Sequence, residues 1–168
     1  MQNPRWVLPS REARRAILDA RERLRGLIIA VELRQGAWFN ERNVEQTHRF
    51  LTDNAIAYVI VDEPQDFENS VPPVAVVTAP ELAVFRFHGR RAETSEKEGV
   101  PPSERFRYLY DQDELAECAP TILDAARQTR ETHVIMTNCY RNYCTANAEE
   151  MAWLLRELHE GEGVNQRS

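Results

Sequence analysis

LIIAVELR, residues 27–34, is an apolar run that turns charged only at its end, and its reading decides the fold. Such a run suits a strand of a parallel sheet covered on both faces. Three further stretches close in the same polar way: AYVIVDEP at 57–64, LAVFRFHG at 82–89 and HVIMTN at 133–138. Side chains alternate across a strand. Glu32 and Arg34 therefore share a face opposite Ile29, Val31 and Leu33, and Arg86 and His88 share one opposite Ala83, Phe85 and Phe87. In the second run the same reading sets Tyr58, Ile60 and Asp62 against Val59 and Val61. The fourth run is less decided: His133, Ile135 and Thr137 share a face and Asn138 stands at its end.

One apolar face per strand suits packing under helices, and the polar residues collect at the C-terminal ends. An open sheet with helices on both sides would want both faces apolar. A barrel with a polar mouth wants the observed pattern, and barrel enzymes place their sites at that mouth. The expected fold class is α/β, a partial (β/α)8 barrel of four βα units, as a single domain over 1–168. The first and fourth strands would then expose unpaired edges, a hazard unless covered. The expected partners are therefore the rest of the barrel or a second chain.

Helical stretches separate the strands. Ser10 can cap a helix over 11–25, with Gly26 ending it, and Asn40 can cap another over 41–53. VAVVT, 74–78, reads as extended. Asp111 and Glu114 have capping-box spacing for a helix over 112–129, which Pro120 should kink or split. Asn147 with Glu150 resembles a second box, opening a helix that runs to about residue 159 and ends at Gly161. Residues 1–9, with Pro4 and Pro9, read as a poorly ordered loop, and 162–168 as a frayed tail.

Acids outnumber bases, 27 to 21, which argues against a general nucleic-acid or anionic-membrane binder. The arginines crowding 11–25 read as a solvated helix face. No apolar run approaches the roughly 20 residues of a membrane span, and the N-terminus lacks a secretory h-region. Cys118, Cys139 and Cys144 show no metal spacing and fit a reducing, cytoplasmic setting.

The residues expected at the mouth are Glu32, Arg34, Asp62, Arg86, His88 and Asn138. Glu32, Asp62 or His88 can move protons. Arg34 and Arg86 can hold a carboxylate or phosphate bidentately. Two alternatives stand beside that small-anion enzyme. In one, Glu32, Asp62 and His88 ligate a divalent metal in a hydrolase or isomerase. In the other, the chain is a non-catalytic fragment or binding module whose ion network is structural. Trp38 and Phe39 after the first strand read first as packing at the barrel rim, and otherwise as an apolar wall or lid to a site. The polar loop 90–110, with Arg90, Arg105, Phe106, Tyr108 and Tyr110, is longer than most such connections and reads as a ligand loop. The sequence does not identify a cofactor.

These stretches also carry a resemblance. VELRQGAWF (31–39), VDEP (61–64), VPPVAVVTAPELAVFRFHGR (71–90), ERFRYLYDQDEL (104–115) and NCYRNYCTANA (138–148) resemble the YecE-like family, domain of unknown function 72. The resemblance implies a TIM-barrel fold longer than this chain, of which these residues form roughly the C-terminal four βα units, so that the partner expected along the strand edges is the missing N-terminal half or a second chain. It implies motif positions at Glu32, Arg34, Trp38, Asp62, Glu63, Pro64, Arg86, His88, Gly89, Arg90, Tyr108, Tyr110, Asn138 and Asn147, and no established activity. Ser95, Thr137 and Cys144 depart from the family pattern, where Trp, Asn and a small residue are usual. The shorter length implies a truncated or misassigned start.

Overall fold

A computed structural model describes residues 1–92, 101 and 107–165, with side chains through residue 161. Helix α1 (Arg11–Arg23) leads to strand β1 (Ala30–Val31), a 3-10 turn (Gly36–Phe39) and α2 (Val44–Asp53). Then come β2 (Ala57–Asp62), β3 (Leu82–Phe87), α3 (Gln112–Gln128), β4 (Glu131–Met136) and α4 (Tyr143–Asn165). The sheet is parallel throughout, in the order β1-β2-β3-β4.

Strand β1 is shorter than its apolar run. After α1 a further turn forms, with Leu27 N–H bonded to Leu24 O, so Leu27 and Ile28 stay exposed and the chain reaches the sheet only at Ile29. The far edge of β1, expected to be bare, is met by the first residues. The Met1 nitrogen donates to Ala30 O at 2.7 Å, Glu32 N–H to Met1 O and Asn3 N–H to Glu32 O, each at 2.9 Å, forming a parallel bridge. Residues 1–9 contain no helix or further strand, but they are tied in again where the Trp38 indole donates to Val7 O. Among the described residues no strand pairs with the outer edge of β4, whose side chains alternate between exposed and half-buried.

The register fixes the faces. Val59 pairs with Val84, Val61 with Arg86, and Arg86 with Ile135. Asp62 pairs with Phe87, and Phe87 with Met136. Ala30 pairs with Ala57. One face therefore carries Ala30, Glu32, Val59, Val61, Val84, Arg86 and Ile135. The other carries Val31, Leu33, Tyr58, Ile60, Asp62, Phe85 and Phe87, the side on which the helices pack.

Helix α3 shows why. Its buried residues Leu115, Ala119, Ile122 and Ala125 recur at helical spacing and join Phe85 and Phe87 in one core. Asp111 accepts from Glu114 N–H and Glu114 reaches back to Asp111 N–H, so the capping box forms as the spacing predicts. Pro120 does not split the helix. It sits on the exposed side, where water can serve the carbonyl left without a donor. Helix α2 begins three residues later than predicted, because Asn40 closes a turn over 41–43 first. Helix α4 begins earlier and passes Gly161, since Tyr143 N–H and Ala146 N–H already close turns onto Tyr140 O and Asn142 O. Residues 74–78 form no strand, and Thr78 anchors them by bridging Ile56 O and Tyr58 N–H. On α1, Arg11, Arg15, Arg21 and Arg23 are exposed, as is Arg25 just beyond it, whereas Arg14 lies over the Trp38 and Phe50 rings.

Ile122→Ala should cost roughly 2–5 kcal/mol, as large-to-small core changes do. Pro120→Ala should raise stability, because the exposed turn regains a helix donor. Urea unfolding midpoints measure both, and a neutral Ile122→Ala would contradict this packing.

Candidate functional site

Two polar clusters sit at the C-terminal ends of the strands, on opposite faces. The first is built on Glu32, only 2% exposed. Its carboxylate accepts from Arg86 Nη1 and from Gln2 Nε2 at 2.8 Å. Arg34 Nε lies 3.4 Å away, close enough for an ion pair but not aligned for a hydrogen bond. His88 Nε2 lies 3.3 Å from the same carboxylate. Arg34 also stands 3.9 Å from Glu63, which accepts from Val71 N–H and lies 3.7 Å from Arg5.

The ladder continues past the strand ends to hold this cluster. His88 N–H donates to Asp62 O and Thr137 N–H to Phe87 O, each at 2.9 Å. The Thr137 hydroxyl lies 2.8 Å from Phe87 O and 2.9 Å from His88 Nδ1. It has one hydrogen, so it can donate to either and accept from Nδ1–H when the carbonyl takes that hydrogen. In both arrangements Nε2 is the imidazole edge turned to Glu32.

Burial alone would raise the Glu32 carboxyl. The close approach of His88, the hydrogen bond from Gln2 and the charge of Arg86 outweigh it and hold the group at about 2. Arg34 is lowered from its ordinary value, first by burial and then by repulsion from Arg5 and Arg86, against the pull of Glu32 and Glu63.

The second cluster lies on the helix side. Asp62 accepts from Arg90 Nη2 at 2.8 Å and Nε at 3.0 Å, and from the Tyr110 hydroxyl at 2.6 Å. That hydroxyl in turn accepts from Gly89 N–H at 2.8 Å. Gly89 has φ +90°, and a Cβ there would stand 2.6 Å from the Tyr108 Cβ, so glycine is required twice over. The bond to Asp62 and its charge raise Arg90, although burial opposes them. Tyr108 donates to Glu114 and packs edge-on to Tyr110. Asn147 grips the Tyr110 backbone on both sides, accepting from its N–H at 3.1 Å and donating to its C=O at 2.9 Å. Asn138 donates to Asn147 and to Tyr108 O.

The sequence residues thus divide. Glu32, Arg34, Arg86 and His88 come together as expected. Asp62 does not join them: its register partner is Phe87, on the helix side, with Arg90 and Tyr108. Both faces of β2 are apolar, so alternation alone could not orient it. Glu63, next in line, takes the place expected of Asp62. The triad Glu32, Asp62 and His88 therefore does not converge on one metal position, and no group of three or more His, Cys, Asp or Glu suited to a metal occurs among the described residues. Trp38 is fully buried and offers no wall to a ligand. Asn138 and Asn147 are internal clamps, and Asn147 is not the cap its spacing suggested. Gln2, Arg5 and Thr137 were missed, because nothing in a polar N-terminal stretch or a strand-end threonine announces its neighbours. Glu63 had a signal: adjacent acids in VDEP must point to opposite faces. Of the loop 90–110, residues 93–100 and 102–106, including Ser95, Arg105 and Phe106, lie outside the described residues.

Residues 1–167 match the family described as "Protein of unknown function DUF72", and the chain belongs to that family. A curated relative, the UPF0759 protein YunF of Bacillus subtilis, is 28% identical over 163 residues, covering 95% of this chain and 58% of YunF. A DUF72 family crystal structure from Enterococcus faecalis superposes with a TM-score of 0.85 at 31% identity, covering 92% of this chain and 57% of that one. Another, from Thermotoga maritima, gives 0.78 at 31%, covering 95% and 56%. The chain spans a little under three fifths of the length of these relatives. No described helix is long and apolar enough to cross a membrane.

Because the folded-state Glu32 carboxyl lies below its ordinary 4.5, its contribution to stability is present above about pH 4.5 and is lost as pH falls toward 2. Glu32→Gln should flatten the stability–pH curve across that window. Glu32→Ala should cost roughly 3–5 kcal/mol, since Arg86 and His88 lose their buried partner. Chemical denaturation at stepped pH tests both; an unchanged acid slope in Glu32→Gln would contradict the network.

Proposed function

We propose that the Glu32 cluster binds a small anionic or phosphorylated substrate and moves a proton on it. The observation that carries this is Arg34. It is largely shielded, its Nε has no hydrogen-bond acceptor, and the guanidinium groups of Arg5 and Arg86 repel it. An anion would supply that acceptor and offset the repulsion, and a guanidinium fork suits the oxygens of phosphate or carboxylate. His88, braced by Thr137 and Glu32, is the group placed to give or take the proton.

The same reading makes the sheet an arc of a closed (β/α)8 barrel. Strands in strict sequential order, with crossovers of the right hand that parallel connections almost always take, put every helix on one face. That leaves the other face to close on itself, with its ligand site at the strand C-termini. Glu131, His133 and Ile135 of β4 are exposed and share the Arg86 face, which a closed barrel would bury. Further strands, from the same polypeptide or a second chain, are the partner this face calls for.

Titration calorimetry with inorganic phosphate tests the anion site. Wild type should bind saturably, and Arg34→Gln should weaken binding at least about tenfold, the loss of one charge-assisted contact. Absence of binding, or equal affinity in the variant, would remove the proposal. Turnover of phosphorylated small molecules, if found, should drop in His88→Asn with phosphate affinity retained.

A further inference from the structure

Between β2 and β3 the chain crosses over without a helix: residues 63–81 hold neither helix nor strand. A parallel connection ordinarily lays a helix of about 10 Å diameter on the sheet. Here the extended segment 72–78 takes that place and leaves the space beside α3 unfilled. The result is a cleft of about 340 Å³ on the helix side of the sheet. That volume falls within the range of small-molecule pockets. Its floor is Ile60, Phe85 and Phe87. Pro73 and Ala75 border it on one side, Cys118 and Thr121 of α3 on the other.

One end of the cleft is polar, lined by Asp62, Arg90 and Glu117. Arg90 there meets three carboxylates: Asp62 at 2.8 Å, Glu117 at 3.4 Å and Glu114 at 3.6 Å. Among the described residues that line this end, one cation stands against the two carboxylates of Asp62 and Glu117, a net −1. Arg86 also borders the cleft, but its guanidinium is committed to Glu32 on the opposite face. Cys118 adds no charge, because burial first and the neighbouring Asp62 second push its thiol up to about 11. The polar end is also built in advance. Asp62 is fixed by Arg90 and Tyr110, and Tyr110 is clamped by Asn147.

We propose that this cleft binds a small molecule with an ammonium head and an apolar, ring-sized body. The ammonium lies at the Asp62–Glu117 end, and the body rests on Ile60, Phe85 and Phe87. Charge complementarity selects the cation, and the aromatic floor suits a flat hydrocarbon body. The site faces away from the Glu32 cluster, so the two stand or fall separately.

Phenethylamine is the probe, with phenylpropionate as its anionic counterpart, compared by titration and ligand-observed NMR at low salt. The amine should bind at least about tenfold tighter than the carboxylate, the worth of about 1.4 kcal/mol in charge selection. Glu117→Gln should weaken it about threefold, as suits an exposed carboxylate. Thr121→Trp, on the exposed rim of α3, should abolish it while the circular dichroism and phosphate binding stay unchanged. No saturable amine binding up to millimolar concentration, equal binding of amine and carboxylate, or binding untouched by Thr121→Trp would each overturn the proposal.

Discussion

Consecutive residues of a strand point to opposite faces, and Asp62 and Glu63 are consecutive acids at the end of β2. The pairing of Val61 with Arg86 and of Asp62 with Phe87 decides which acid goes where. Glu63 joins Arg34 and Arg5, and Asp62 joins Arg90 and Tyr110. A slip of one residue would send both to the wrong side, setting Asp62 among the strand-end arginines and Glu63 against the helices. The apolar residues of β2 would hardly notice, since Tyr58, Ile60, Val59 and Val61 are all buried. Register here is therefore guarded by charge as much as by hydrophobicity.

Each cluster settles the cost of buried charge differently. Around Glu32 the carboxylate is almost fully enclosed and survives because several donors converge on it. Around Asp62 the pair is tighter and geometrically richer, a guanidinium fork with a tyrosine hydroxyl added.

Much of this was legible in the sequence. The four apolar runs gave the parallel strands, and Asp111 with Glu114 gave the start of α3, because both signals are local. Glu32, Arg34, Arg86 and His88 were legible as one group because their strands have a single polar face each. Asp62 was not, because β2 is apolar on both sides and only long-range pairing orients it. Asn147 looked like a helix cap by spacing alone. Its use as a clamp on Tyr110 depends on a residue 37 positions away, which no local pattern encodes. Trp38 followed the strand as a wall would, yet α1 and Val7 cover it completely.

The Thr137 hydroxyl lies between a carbonyl and an imidazole nitrogen, with one hydrogen to share. Changing the charge on His88 therefore requires only a hydroxyl rotation, a motion of picoseconds to nanoseconds. No heavy atom has to move and no polar group is stranded. An amide in this position would have to turn over to make the same exchange, so threonine makes the imidazole's wall tolerant of both protonation states.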